Sequence, residues 1–564
     1  MAYFLKIQNQ SNNTYLAIYE SFYSPDSKGT RHRCFKSLGS ISKLIASGID
    51  DPISFYKAEV EKMNAERKPD AVKLISSSSP LKYLGYFPLK AILEKLEIKK
   101  FIDLFKLTTN YDFDLYQILS SLIFARCVNP CSKHKTFTEV LPSLCESYQF
   151  SYDQLLNGLS FFGNDYEKII ELFNMQVNKY YSFNTNITYF DCTNFYFEID
   201  REDDFRKNGP SKENRNSPII GLGLLLDANQ LPLGMKLFPG NESEKPVIRN
   251  AVRGLKEKHE VQGRTIQVAD KGLNCAANIF FARQNNDGYI FSKSVKQLPE
   301  KEKVWVLLKN DYREVKDNNG KTLYYWKECI DQFPYRYVDD TGKVHVFNLT
   351  EKRVVTYNPS LAAKKKYEIN RLVEKAKKLS TSLAKKSEYG ECSKYVSFKS
   401  TSKGKQTDDK VAAVINQEAI DKDLELAGYN LLVTSETKLK AVEIYDIYHN
   451  LWRIEESFRI MKSDLDARPV YLQKEETIKG HFLICYLTVL LERIFQFIIL
   501  ENKYSSSSIL KFFKDFKIVE NNKNYVNVTV GTDFIDQLSK ITNLPLNHYT
   551  LSEKQLKKVL NFKI

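Results

Sequence analysis

The spacing of apolar residues changes character several times along this chain. Over residues 1 to about 45, apolar and polar positions alternate on either side of Ser-Pro-Asp-Ser-Lys-Gly at 24–29, the pattern of a β-hairpin. The far side of that hairpin carries Lys28, Arg31, Arg33 and Lys36. From about 82 to 180 the period lengthens to that of helices, as in Leu115-Tyr-Gln-Ile-Leu-Ser-Ser-Leu-Ile-Phe-Ala-Arg126. Asn129-Pro130 breaks this pattern, and the basic turn Ser132-Lys-His-Lys135 follows. Such a helical region, with basic turns, either grips a polyanion or packs on a core.

From 186 the order of elements narrows the fold. An apolar strand, Ile187 to Phe197, contains Asp191. Two more strands follow, Ile219–Leu226 and Leu233–Phe238, joined by the turn Asp227-Ala-Asn-Gln230. A helix near 245–259 leads to the strand Arg264-Thr-Ile-Gln-Val-Ala-Asp270, and another near 275–285 leads to the strand Gly288–Lys293. Three consecutive strands, then helix, strand, helix and strand, is the ribonuclease H-like order. In that layout Asp191 lies in the first strand and Asp270 at the tip of the fourth, which are sheet neighbours.

Residues 296 to about 425 interrupt the pattern. The part to about 357 has β-prone character, as in Tyr335–Phe347, with Trp305 and Trp326. A Lys-rich helical stretch follows, with nine Lys or Arg and two Glu over 364–386. Such a run is a solvated face or a polyanion contact. The polar segment Thr401–Lys410 has the composition of a loop. Strand character returns at Tyr429–Thr434, and a periodic helix is expected over 443–465. At about 100° per residue, Ile447, Leu451, Ile454, Phe458, Met461 and Leu465 form its buried stripe. Glu455 lies at one edge of that stripe, in line with Tyr448 and Lys462, whereas Glu456 is expected to point to solvent.

Composition bounds the partners more than the fold. At 564 residues the chain is long enough for about three or four units. Hydrophobic residues at 43% and charged residues at 27% describe a globular protein. A net charge of +14, with a pI near 9.0, points to a polyanionic partner. The nine cysteines include no CxxC pair. Cys127, Cys131, His134 and Cys145 lack the spacing of a zinc site, so the cysteines are expected to be reduced thiols. The beginning shows no secretion signal. The apolar run Phe482–Leu491 ends at Glu492-Arg493, short of the roughly 20 residues that a bilayer requires, so it is expected to be a core helix.

Asp191, Asp270 and Glu455 are the candidate catalytic and metal-binding residues. Hard carboxylate oxygens from separate elements suit Mg²⁺. Two such ions roughly 3.5–4 Å apart can activate water or a 3′-hydroxyl and stabilise the leaving oxygen of a phosphodiester. Lys462 beside such a site could hold a DNA phosphate, and so could the phenol of Tyr448.

These residues resemble the DDE transposases of bacterial insertion sequences, in particular the group whose third acid stands in a Tyr, Arg, Glu, Lys signature. Tyr448, Glu455 and Lys462 fall at its spacings. Val268-Ala-Asp-Lys-Gly-Leu273, Leu451-Trp-Arg-Ile-Glu-Glu-Ser-Phe458 and Gln230–Asn241 also look like blocks of that family. The likeness spans roughly 186–295 and 426–495. One position departs, because Leu451 stands where the signature has Arg; Arg459 is the candidate substitute, and Arg453 is expected to point almost opposite.

The resemblance implies an enzyme that binds the terminal inverted repeats of its element, frees a 3′-hydroxyl and joins it to target DNA. It further implies two Mg²⁺ ions, replaceable by Mn²⁺, a homodimer on double-stranded DNA, no membrane, and a place at the bacterial nucleoid in the cytoplasm. The expected architecture is α/β and multi-domain. It comprises a β-rich region over 1–80, a helical DNA-binding domain over 81–183, a ribonuclease H-like core over 184–295 and 426–500, an insertion over 296–425, and a tail over 501–564. Two other functions remain open from the residues: a catalytically inactive DNA-binding descendant, and a two-metal nuclease that cuts without joining.

Overall fold

The computed structural model describes residues 2–10, 13–24, 29–66, 81–212, 217–258, 261, 263–339, 341–382, 384–399, 412–521 and 524–564. The turn residues 25–28, Lys28 among them, and the polar segment 401–410 lie outside the described residues. The chain divides into two compact units, Met1–Ser77 and Ser78–Ile564. In the first, strands Tyr3–Gln10, Asn13–Ser24 and Gly29–Ser40 pair antiparallel, and helices Ile41–Ala46 and Pro52–Glu66 follow. Arg31, Arg33 and Lys36 are exposed on the last strand, and Arg33 pairs with Glu20 at 2.8 Å.

The second unit is built on a mixed sheet of nine strands among the described residues. The strand Ile187–Tyr196 lies inside it. On one side it pairs antiparallel with Ile219–Leu226, which in turn pairs with Pro232–Pro239. On the other side it runs parallel to Ile266–Ala269, which runs parallel to Gly288–Lys293. Every position of Ile219–Leu226 is buried, so the Asp191 strand is flanked by a wholly apolar neighbour. The strands and helices expected between 187 and 293 are therefore present in the expected order.

The sheet continues beyond them. Tyr429–Thr434 pairs antiparallel with Gly288–Lys293, and Val344–Tyr357, Thr322–Val338 and Arg313–Lys316 add on in turn. The β-prone part of 296–425 thus extends the same sheet, because main-chain pairing propagates from Tyr429–Thr434 onto Val344–Tyr357. The Lys-rich stretch is a helix over Pro359–Thr381, capped by the Asn358 side chain.

The helical region includes Leu115–Val128, capped by Asp114, and Tyr152–Asn164, started by a Ser151–Gln154 capping box. Tyr152–Asn164 crosses the helix Glu475–Arg493 at backbone distance. A Cβ on Gly163 would lie 1.7 Å from the Glu476 carbonyl, and one on Gly480 would lie 2.2 Å from that of Leu159. Only glycine permits that approach. The helical run Glu475–Ile499 passes a length and composition test for a membrane span, yet 83% of its apolar window is buried in the protein. It runs on past Glu492 and Arg493, which are themselves buried, and so is longer than the apolar run suggested.

The expected single helix over 443–465 is the main correction. Helix Ala441–His449 gives way at Asn450-Leu451 to a tight turn, Trp452–Arg459 follows, and a wider turn covers Ile460–Asp464. The bonds at the junction span three residues, from Leu451 N–H to the Tyr448 carbonyl and from Ile454 N–H to the Leu451 carbonyl, each 3.0 Å. A tighter turn winds by more than 100° per residue, so Tyr448 and Glu455 are not carried on one straight helix.

Candidate active site

Strand register places the first two acids. Phe190 pairs with Ala269 across the parallel strands, so Asp191, still inside its own strand and opposite Leu224, stands beside Asp270, the first residue past the end of the neighbouring strand. Burial chiefly, and then the negative charge of Asp270, push the Asp191 carboxyl up to about 6. The Lys212 ammonium opposes this shift. Lys212 donates to the Cys192 carbonyl and lies 3.4 Å from Glu244.

Asp270 is held from two directions. The Ser292 hydroxyl and the Tyr448 phenol each donate to its Oδ1 at 2.9 Å. Burial, reinforced by Asp270, raises the Tyr448 phenol well above its ordinary range, so it remains a donor at neutral pH. Tyr448, expected to meet a DNA phosphate, is bonded here to the Asp270 carboxylate.

The Glu455 side chain is exposed and makes no hydrogen bond or ion pair among the described residues. No three His, Cys, Asp or Glu side chains among the described residues are close enough to hold a metal. The structure thus brings Asp191, Asp270 and Tyr448 together, and does not gather Glu455 with them. Glu456 departs from expectation. It is not turned to solvent but is partly buried, bonded to Arg453 at 3.0 Å and to the fully buried Arg493 at 2.9 Å. Arg493 comes from the following helix, so a one-helix projection could not foresee that partner.

Lys462 lies over the Phe195 ring, 5.3 Å from its centre, on the same strand as Asp191. Burial, then repulsion from Lys212, lowers its ammonium to about 8. Arg459 is exposed and pairs with Asp464 at 2.8 Å. Leu451 is buried, as its place on the apolar stripe implies.

Lys212, Glu244 and Ser292 were not singled out by the sequence. Lys212 lies between two strands in a segment with no periodicity, and Glu244 opens the helix behind the Ser243 cap. Only Ser292, near the end of an expected strand, carried a positional signal.

The two aspartates fit a hard divalent cation. They are like-charged neighbours, and Oδ2 of each accepts no hydrogen bond among the described residues. A cation between them would offset the burial and the lesser repulsion that raise Asp191.

A family model described as a transposase DDE domain matches residues 186–491. That span begins at the Asp191 strand and ends in the helix that supplies Arg493. No curated protein matches the chain.

Proposed function

From the premise that this chain belongs to the DDE transposase family, we propose that it cuts DNA at the ends of an insertion sequence and joins the freed 3′-hydroxyl to target DNA. The observation that supports this most is the pair Asp191 and Asp270 on neighbouring parallel strands, with Tyr448 bonded to the second. In this reading the sheet is a ribonuclease H-like core, 81–183 contacts DNA, and 296–425 is an insertion that extends the sheet. A homodimer would hold two ends of double-stranded DNA.

Asp191, Asp270 and Glu455 would hold two Mg²⁺ ions, with Mn²⁺ as a substitute. Bound there, the ions would supply Lewis-acid activation of the attacking oxygen and neutralise charge on the leaving one. Glu455 is preferred to Glu456 because Glu456 is already committed to Arg453 and Arg493, whereas Glu455 is exposed and unengaged among the described residues. Tyr448 and Ser292 fix the orientation of Asp270. The Lys212 ammonium lies near Asp191 and the Lys462 ammonium lies near that of Lys212, and both would attract the scissile phosphate. Arg459, if it replaces the signature Arg, must leave Asp464 to reach DNA.

Glu455 standing apart from the aspartates favours a second reading, a DNA-binding descendant that no longer cuts. Purified protein, a labelled duplex carrying the DNA that borders its gene, a target plasmid and Mg²⁺ separate the readings. Joined product supports transposition, cleavage alone supports a nuclease, and bound but uncut DNA supports the inactive descendant.

A further inference from the structure

A second basic site lies away from the aspartates. A cavity of about 270 Å³ opens between the basic turn after Leu115–Val128 and the segment that follows the Glu455 helix. Arg126, Lys133 and His481 line it, and each is at least nine-tenths buried. None of the three forms an ion pair among the described residues. Arg126 donates to the carbonyls of Leu465 at 3.2 Å and Cys131 at 3.1 Å. His481 Nε2 lies 3.2 Å from the Ala467 carbonyl, which can only accept, so Nε2 carries the proton. His481 Nδ1 then accepts from the Lys133 ammonium at 3.2 Å.

A set of buried basic groups without a counter-charge is costly unless an anion completes it. Burial, and then Arg126, drive Lys133 well below its ordinary value, and burial and Lys133 lower His481. Among the described residues Asp466 is the one acidic residue of the lining, and it is exposed. Tyr152 and Tyr471 also line the cavity, and Tyr471 is 67% exposed.

We propose that this cavity binds one phosphate of a DNA strand, with the adjoining nucleoside lying against Tyr471. DNA is favoured over a free anion by the surroundings. His481 adjoins Phe482, whose ring lies 4.7 Å from Phe195 on the Asp191 strand, and Phe195 also carries Lys462. The cavity is therefore linked through one packed side chain to the strand where the phosphate chemistry is placed. An exposed aromatic ring beside a phosphate site offers a stacking surface for a base. The DNA source rests on the transposase reading; the anion site itself does not.

The test uses the full chain, wild type and Lys133→Met, whose side chain is close in length and lacks the charge. Inorganic phosphate should raise the melting temperature of the wild type and leave that of Lys133→Met unchanged. With a duplex of about 30 base pairs, the variant should bind about tenfold more weakly, and its salt slope should fall by about one. Tyr471→Ala, a surface change that spares the fold, should respond to phosphate as the wild type does but bind a single strand of about 30 nucleotides about threefold more weakly. An equal phosphate response in Lys133→Met and the wild type would overturn the site. A lost response with unchanged duplex affinity and slope would overturn DNA as the source. Failure of the wild type to bind duplex would instead sink the transposase reading, with the phosphate measurement still judging the cavity.

Discussion

The Tyr448 phenol donates to Oδ1 of Asp270 at 2.9 Å, tying the helical segment before Glu455 to the end of the second acidic strand. Tyr448→Phe removes that bond and little else. A hydrogen bond to a charged group is worth about 1.5–3 kcal/mol, so strand cleavage should slow by roughly 10- to 100-fold. Duplex affinity should stay within about twofold. Unchanged cleavage rates would show that Asp270 is positioned without the phenol.

The raised Asp191 carboxyl gives a pH dependence with a definite sign. Its ordinary value is 3.8 and its folded value about 6, so the folded protein binds the proton more tightly than the unfolded chain. The associated stability is fully present below about 3.8 and is lost as pH rises through about 6. In a chelator, Asp191→Asn should therefore be more stable than the wild type at pH 7, by about 2 kcal/mol after allowance for solvent screening, and the gap should close toward pH 4. Mn²⁺ should bind the wild type more weakly as pH falls below about 6, because proton and cation compete for the same carboxylate. Thermal unfolding and Mn²⁺ titration across pH measure both effects.

Lys462 supplies a charge that alkaline pH removes. With its ammonium lowered to about 8, it is charged at pH 7 and mostly neutral at pH 9. Lys462→Met should reduce the salt slope of duplex binding by about one at pH 7 and by much less at pH 9. An equal reduction at both values would mean that Lys462 keeps its charge.

Arg493 joins the Glu455 helix segment to the long buried helix. It bonds Glu456 at 2.9 Å, Gln496 at 2.6 Å and Ser506 at 2.7 Å, and it lies 3.7 Å from the buried Glu492. Arg493→Met leaves the buried Glu492 without its cation and Glu456 with Arg453 alone, and should cost about 3–5 kcal/mol in denaturant unfolding. A loss below about 1 kcal/mol would show that those carboxylates find other partners.

What the sequence made legible follows from the range of each interaction. The strands bearing Asp191 and Asp270 announced themselves because alternation and apolar runs are local. Their adjacency followed from the order of strands. The long-range partners were not legible. Nothing near Glu456 announces Arg493, and nothing near Asp191 announces Lys212 or Glu244. The break at Asn450-Leu451 was hidden for a different reason: an apolar stripe of period 3.6 persists across a tight turn, since Leu451 and Ile454 are buried on both sides of it. The basic cavity was hidden because Lys133 and His481 stand 348 positions apart in the sequence, and nothing local to either announces the other.

The central claim is that Glu455 acts together with Asp191 and Asp270, although it stands apart from them here. The most direct measurement is Mg²⁺-dependent cleavage of the bordering DNA by Glu455→Gln, beside Asp191→Asn, Asp270→Asn and the wild type. Cleavage should be abolished in all three variants, with duplex binding retained. Cleavage by Glu455→Gln close to the wild-type rate would contradict the claim.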